Sequence, residues 1–230
     1  MWRACLDGSR PGAEALARTL SAEECARGER FHFERDRTRF RRTRGLLRVL
    51  AGRYLDALPE GLELSQGATG KPRLRDENAA LRFNVSHSGG RALLAFAWER
   101  EVGVDIEAER PVPEMASLVE RFFSPAEAEA WRALPPSERD AGFFRCWTLK
   151  EAFLKATGDG LMRPLDSFDV AFGPRDRARL LRAAGSPGER ERWHLETLEA
   201  GEGFHAAVAV EGRPVGIWFG EWAEELKEER

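Results

Sequence analysis

The sequence predicts an α+β protein of two similar lobes, made by internal duplication, related by a pseudo-two-fold and holding a site between them. Three observations carry this. Ser21-Ala22-Glu23-Glu24 and Ser124-Pro125-Ala126-Glu127 are both capping boxes, with serine at the N-cap and glutamate three residues on. Each is followed by a Glu-Arg-Asp triplet, Glu34 to Asp36 and Glu138 to Asp140, that opens a longer helix. Behind each long helix come segments rich in strand-forming residues. Cap, triplet, helix and strands recur in one order, as a duplicated unit requires.

The elements follow from local patterning. The first long helix carries Leu46, Leu47, Leu50, Tyr54 and Leu55 on an apolar face, the second Phe143, Phe144, Trp147, Phe153 and Leu154. Pro125 sits at the first helical position after the second cap. Strands are expected over Ala80–Val85, Leu93–Trp98 and Val102–Glu107. In the second half they are expected over Ser167–Phe172, Trp193–Leu198, Phe204–Val210 and Val215–Phe219. The proline-bearing stretch Arg110-Pro111-Val112-Pro113 divides the chain into an N-terminal α+β lobe, 1–109, and a C-terminal one, 110–230.

Composition excludes several classes. The net charge of −3 gives no global basic field for nucleic acid. The longest purely apolar run, Ala92 to Trp98, is far too short to cross a bilayer. Cys5, Cys25 and Cys146 are scattered and odd in number, and the opening residues show no apolar signal core, so a soluble cytoplasmic protein with free thiols is expected. Of 36 basic residues only Lys71, Lys150, Lys155 and Lys227 are lysine. Where arginine is the default, a lysine marks a place suited to a compact ammonium.

Four motifs carry chemistry. In Val102-Gly103-Val104-Asp105-Ile106-Glu107, strand alternation puts Asp105 and Glu107 on one face. In the helix from Trp147 to Lys155, Trp147, Glu151 and Lys155 share a stripe. If strand and helix pack together, three carboxylates converge beside an ammonium, an oxygen-only set that suits magnesium. For Glu151 and Lys155 alone, an ordinary solvated helix pair is the competing reading. Phe83-Asn84-Val85-Ser86-His87-Ser88-Gly89-Gly90 reads as a strand entering a turn whose small residues bare N–H groups to an anion, with Ser86 and His87 as donors to phosphate. Gly70-Lys71-Pro72 is a rigid turn presenting one lysine. From Arg27 to Arg53 there are ten arginines against Glu29, Glu34 and Asp36; Arg37, Arg41, Arg44 and Arg48 share a helical face read as mostly solvated, with a few binding phosphate. The histidines and cysteines show no zinc spacing, and no phosphate-loop or dinucleotide fingerprint is present.

Taken together, GKP at 70–72, FNVSHS at 83–88, VGVDIE at 102–107 and WTLKEAFLKATGDGL at 147–161 resemble the 4′-phosphopantetheinyl transferases of the Sfp type. The resemblance implies a monomer holding coenzyme A between its lobes and passing phosphopantetheine to a serine of an apo-acyl or peptidyl carrier protein. It implies Asp105, Glu107 and Glu151 as magnesium ligands, and Lys155 at the pyrophosphate. Lys71, Ser86 and His87 are implied at the nucleotide end of coenzyme A, joined by a helix arginine, Arg39 with Arg44 close behind. Glu151 and Lys155 are the implied catalytic pair, Glu151 accepting the serine proton directly or through a water. A coenzyme A-binding protein without activity, or a magnesium phosphodiesterase using water, are the competing functions.

Overall fold

The computed structural model describes residues 1–7, 13–67, 70–76, 79–183, 188–214 and 216–222. The chain opens with strand β1 (Trp2–Cys5) and three helices, α1 (Ala13–Arg18), α2 (Ala22–Gly28) and the long α3 (Glu34–Leu55). Strands β2 (Leu64–Gln66), β3 (Pro72–Leu74), β4 (Leu81–Ser88), β5 (Arg91–Trp98) and β6 (Val102–Ala108) follow. Helices α4 (Met115–Phe122), α5 (Pro125–Ala133) and α6 (Arg139–Thr157) lead into β7 (Phe168–Ala171) and β8 (Arg179–Ala183). A short α7 (Glu189–Arg192), β9 (Trp193–Leu198), β10 (Phe204–Glu211) and β11 (Gly220–Glu221) complete the order.

One sheet runs β11-β1-β5-β4 and the other β6-β10-β9, with β2-β3 and β7-β8 as separate ribbons. Alternation along the strands builds the layers. Phe83, Ala92 and Leu94 pack with Leu46, Leu47 and Leu50 of α3. Leu93 and Ala95, on the reverse face of β5, meet Val104 and Ile106 of β6 and Val208 of β10. Ala207 and Ala209 turn the other way, onto Leu149, Ala152 and Phe153 of α6. The order is therefore helix, sheet, sheet, helix, and each fully buried leucine contributes about 1.5–3 kcal/mol.

Both capping boxes form, each with its reciprocal pair of hydrogen bonds. The structure adds a device that the sequence did not announce. Glu24 Oε2, which accepts from Ser21 N, also accepts from Arg48 Nε of α3 at 2.6 Å. Glu127 likewise accepts from Ser124 N and, through Oε1, from Lys150 Nζ of α6 at 2.8 Å. Each cation then reaches carbonyls beyond its own helix: Pro59 and Leu62 for Arg48, Phe168 for Lys150. Cap glutamate and mid-helix cation thus recur in both halves. Arg48 is accordingly a buried strut and no part of a solvated face, and Lys150, wholly buried, is structural.

Two expectations are corrected. Residues 216–219 form no strand, and Val215 lies outside the described residues; the last strand is Gly220–Glu221, which pairs parallel with β1. The N-terminal residues, for which no strand was expected, form β1, whose antiparallel partner β5 is far along the chain and so outside any local pattern. Strand β6 pairs with β10, so the second sheet takes strands from both sides of Arg110.

Candidate active site

The site begins with a missing side chain. A Cβ on Gly103 would lie 2.1 Å from Ala152 O and 2.3 Å from Ala156 N, so β6 rests directly on the backbone of α6. Two residues further on, the same strand face presents Asp105; one turn along the helix stands Lys155. The consequence is an ion pair of 2.6 Å between Lys155 Nζ and Asp105 Oδ1. Ser86 of β4 completes the knot. Its hydroxyl donates to Asp105 Oδ1 at 2.8 Å and accepts from Lys155 Nζ at 3.1 Å. Asp105 Oδ2 is buried without a hydrogen-bond partner. Burial pushes the Asp105 carboxyl up, against the pull of Lys155 and Ser86.

Glu107, on the same face of β6, accepts through Oε2 from Ser88 Oγ at 3.0 Å and from Arg110 Nη1 at 3.1 Å. Glu151 faces this group from α6. Burial raises its carboxyl, Lys155 opposes the rise, and the negative charges of Asp105 and Glu107 reinforce it. A cavity of about 290 Å³ opens here, lined by Lys71, Asn84, Glu151 and Lys155. It adjoins a larger one of about 500 Å³, and Lys71 and Pro72 line both. Lys71 donates to Glu101 Oε2 at 2.8 Å. On the opposite face of β4, His87 is held below the ordinary imidazole value, first by desolvation and then by the charges of Lys155 and Arg39. Arg39 itself grips Asp7 with two hydrogen bonds, 2.7 and 2.6 Å.

This chemistry can be set beside known proteins. The N-terminal model of the 4′-phosphopantetheinyl transferases matches residues 7–99, and that of the 4′-phosphopantetheinyl transferase superfamily matches residues 101–209. The chain is 41% identical over 214 residues to the 4′-phosphopantetheinyl transferase HetI of Nostoc sp., covering 92% of this chain and 87% of that one. It belongs to the 4′-phosphopantetheinyl transferases. To the transferase Sfp of Bacillus subtilis it is 30% identical over 83% of this chain and 82% of that protein. The holo-[acyl-carrier-protein] synthase of Thermotoga maritima, a solved structure, aligns at 22% identity with a TM-score of 0.41, over 50% of this chain and 64% of the other.

Within this transferase the structure brings most of the expected residues together and separates one. Ser86, Asp105 and Lys155 are bonded, Glu107 and Glu151 flank them, and Lys71 lines the same cavity as Glu151 and Lys155. Arg39 and His87 lie near one another by charge. Arg44 stands apart: its guanidinium is 5.8 Å over the Phe40 ring, in a separate recess with Glu24 and Arg27. Among the described residues no three carboxylate, histidine or cysteine side chains gather closely enough to share one ion. The expected convergence is therefore looser than the motifs suggested. Like charges hold one another off, and the cation that meets Asp105 here is Lys155.

Two further expectations change. Ser86 was read as a donor to phosphate, yet it is buried and committed to Asp105 and Lys155. The Gly89-Gly90 turn was read as baring amides to an anion. Both glycines have positive φ, 54° and 82°, as a two-residue hairpin turn requires. A Cβ on Gly90 would lie 2.1 Å from Asp7 Oδ2, so an acidic side chain packs against that turn. Sequence reasoning passed over Asp7, Asn84, Ser88, Glu101 and Gly103. The period-two series Asn84, Ser86, Ser88 and a glycine inside an apolar strand were the available signals.

Proposed function

We propose that this chain transfers the 4′-phosphopantetheine arm of coenzyme A to a serine of an apo-acyl or peptidyl carrier protein, as a magnesium-dependent cytoplasmic monomer. Family membership supports the reaction class. The observation that carries the reading is the knot of Ser86, Asp105 and Lys155, whose lysine lines a cavity together with Lys71 and Glu151. Among the described residues no helix is long and apolar enough to cross a membrane.

In this reading the carrier serine Oγ bonds to the β-phosphorus of coenzyme A while the bridging P–O bond breaks. Its electron pair leaves with 3′,5′-ADP, and the serine proton passes to Glu151. A carboxyl raised by burial is the better proton acceptor. Lys155 stabilises the charge that gathers on the pyrophosphate, and Lys71, His87 and Arg39 hold the phosphates of the nucleotide end. The donor set suits a hard dication that completes its shell with water and phosphate oxygens: carboxylates only, not drawn to a single point among the described residues, with Asp105 Oδ2 buried and unbonded. Asp105, Glu107 and Glu151 would hold magnesium, which when bound supplies neutralisation of the pyrophosphate charge.

The test is to incubate the chain with coenzyme A, magnesium and an apo-carrier, then weigh the carrier. One added phosphopantetheine per carrier, lost on chelation, is expected. A carrier of unchanged mass overturns the assignment, and an unchanged rate in chelator overturns the magnesium requirement.

A further inference from the structure

Strand β6 is the outer strand of its sheet, and an outer strand leaves half of its backbone N–H groups without a ladder. Strand β4 lies along that edge but belongs to the other sheet, and its side chains do the work that a ladder would do. Asn84 Oδ1 accepts from Val104 N at 2.9 Å, and Ser88 Oγ accepts from Ala108 N at 3.2 Å. Between them Ser86 reaches Asp105. The three residues are spaced by two, so one face of β4 supplies the whole seam.

Within this seam one arrangement occurs twice. Asp105 Oδ1 is held by the Ser86 hydroxyl and the Lys155 ammonium, leaving Oδ2 unbonded. Glu107 Oε2 is held by the Ser88 hydroxyl and the Arg110 guanidinium, and no described residue bonds Oε1. A serine has one proton to donate. Ser88 gives it to Glu107, which as a carboxylate can only accept, while its oxygen accepts from Ala108 N. The backbone bond thus holds the serine side chain in place, and the hydroxyl holds the carboxylate.

We propose that Ser88 is a positioning residue: anchored to the β6 edge, it turns Glu107 so that Oε1 points to the metal, as Ser86 does for Asp105. This rests on the reading above, in which Asp105 and Glu107 hold magnesium. Groups that orient a ligating carboxylate are worth about 10- to 100-fold in metal affinity. Ser88 touches neither coenzyme A nor the reacting atoms in this assignment.

The experiment measures Mn²⁺ binding to the full chain with coenzyme A present, by the loss of the free-ion paramagnetic resonance signal. Wild type is compared with Ser88→Ala, Ser88→Cys and Ser88→Thr; thermal melts check that each folds. Ser88→Ala is expected to weaken Mn²⁺ binding about ten-fold or more, with metal-free affinity for coenzyme A unchanged. Ser88→Cys, a weak donor of similar size, is expected to weaken it too, and stands in should the alanine variant not fold. Ser88→Thr keeps the hydroxyl and should stay within about three-fold of wild type, well inside the loss expected without it. Wild-type Mn²⁺ affinity in Ser88→Ala or Ser88→Cys overturns the inference alone. A wild-type chain that takes up no Mn²⁺ overturns the metal reading and this inference with it.

Discussion

Substituting Gly103 by alanine adds a single methyl group at the point where β6 and α6 touch. The added carbon would stand 2.1 Å from Ala152 O, 2.3 Å from Ala156 N and 2.8 Å from the Lys155 carbonyl carbon. Ordinary carbon contacts lie at about 3.5–4.0 Å, so β6 and α6 must part by more than an ångström. All three contacts are backbone atoms, which cannot swing aside as a side chain would. Overpacking of this kind costs about 1–3 kcal/mol and sometimes more; taking the upper value, the melting temperature of a chain this long falls by roughly 6–12 °C. The functional effect is the larger one. Asp105 lies two residues from Gly103, and its partner Lys155 is next to Ala156, so parting the elements opens the 2.6 Å ion pair. A displacement of about 1 Å at a reacting centre costs on the order of 100-fold. Thermal melts and steady-state transfer of phosphopantetheine to an apo-carrier measure both. Gly61, whose Cβ would meet nothing closer than 4.0 Å, gives the control substitution. A Gly103→Ala protein with the melting temperature and turnover of wild type would refute the contact as the feature that sets the site.

Glu151→Gln keeps the shape of the side chain and removes its charge and proton affinity; kcat is expected to fall about 100-fold with the melting temperature nearly unchanged, and normal turnover would remove Glu151 from the chemistry. Lys150→Ala leaves Glu127 ionised and unpaired in the core, where it now accepts from Lys150, Ser124 and Val170 N. Denaturant titration should show a loss of about 3–5 kcal/mol, and a loss below about 1 kcal/mol would mean that the pair adds little. His87→Ala and Lys71→Ala should raise the KM for coenzyme A more than they lower kcat, and the His87 penalty should shrink with dephospho-coenzyme A if the ring meets the 3′-phosphate. Asp169 sets part of the acid limb. Burial pushes its carboxyl up, but the hydrogen bonds from Arg182, 2.8 and 2.9 Å, and from Ser124, with the charges of Arg182 and Lys150, together outweigh it and hold it below the ordinary 3.8. Its contribution is complete above that ordinary value and is lost as pH falls through the lowered one; Asp169→Asn should flatten stability over that window, and an unchanged acid limb would contradict it.

Much of this molecule was legible in the sequence because its signals are local. A capping box needs only four residues, and both formed where the spacing placed them. Helical and strand periodicity placed α3, α6 and β6, and the alternation that put Asp105 and Glu107 on one face of β6 held, because a strand has no other way to arrange its side chains. Four motifs in order were enough to suggest the family.

What the sequence left open were relations between elements distant along the chain. Helical spacing put Lys155 on the stripe of Glu151, but it did not say what Lys150 does. Lys150 is drawn into the core by Glu127, and Lys155, five residues on, emerges beside Asp105. The arginines of α3 look alike as letters, yet Arg48 is a buried strut, Arg39 is clamped by Asp7, and Arg44 lies over Phe40. Ser86 and Ser88 face β6 only because two sheets pack edge beside edge, a juxtaposition that no local preference encodes. Local structure follows from neighbours within a few residues, but the orientation of a carboxylate depends on what a partner twenty or fifty positions away donates to it.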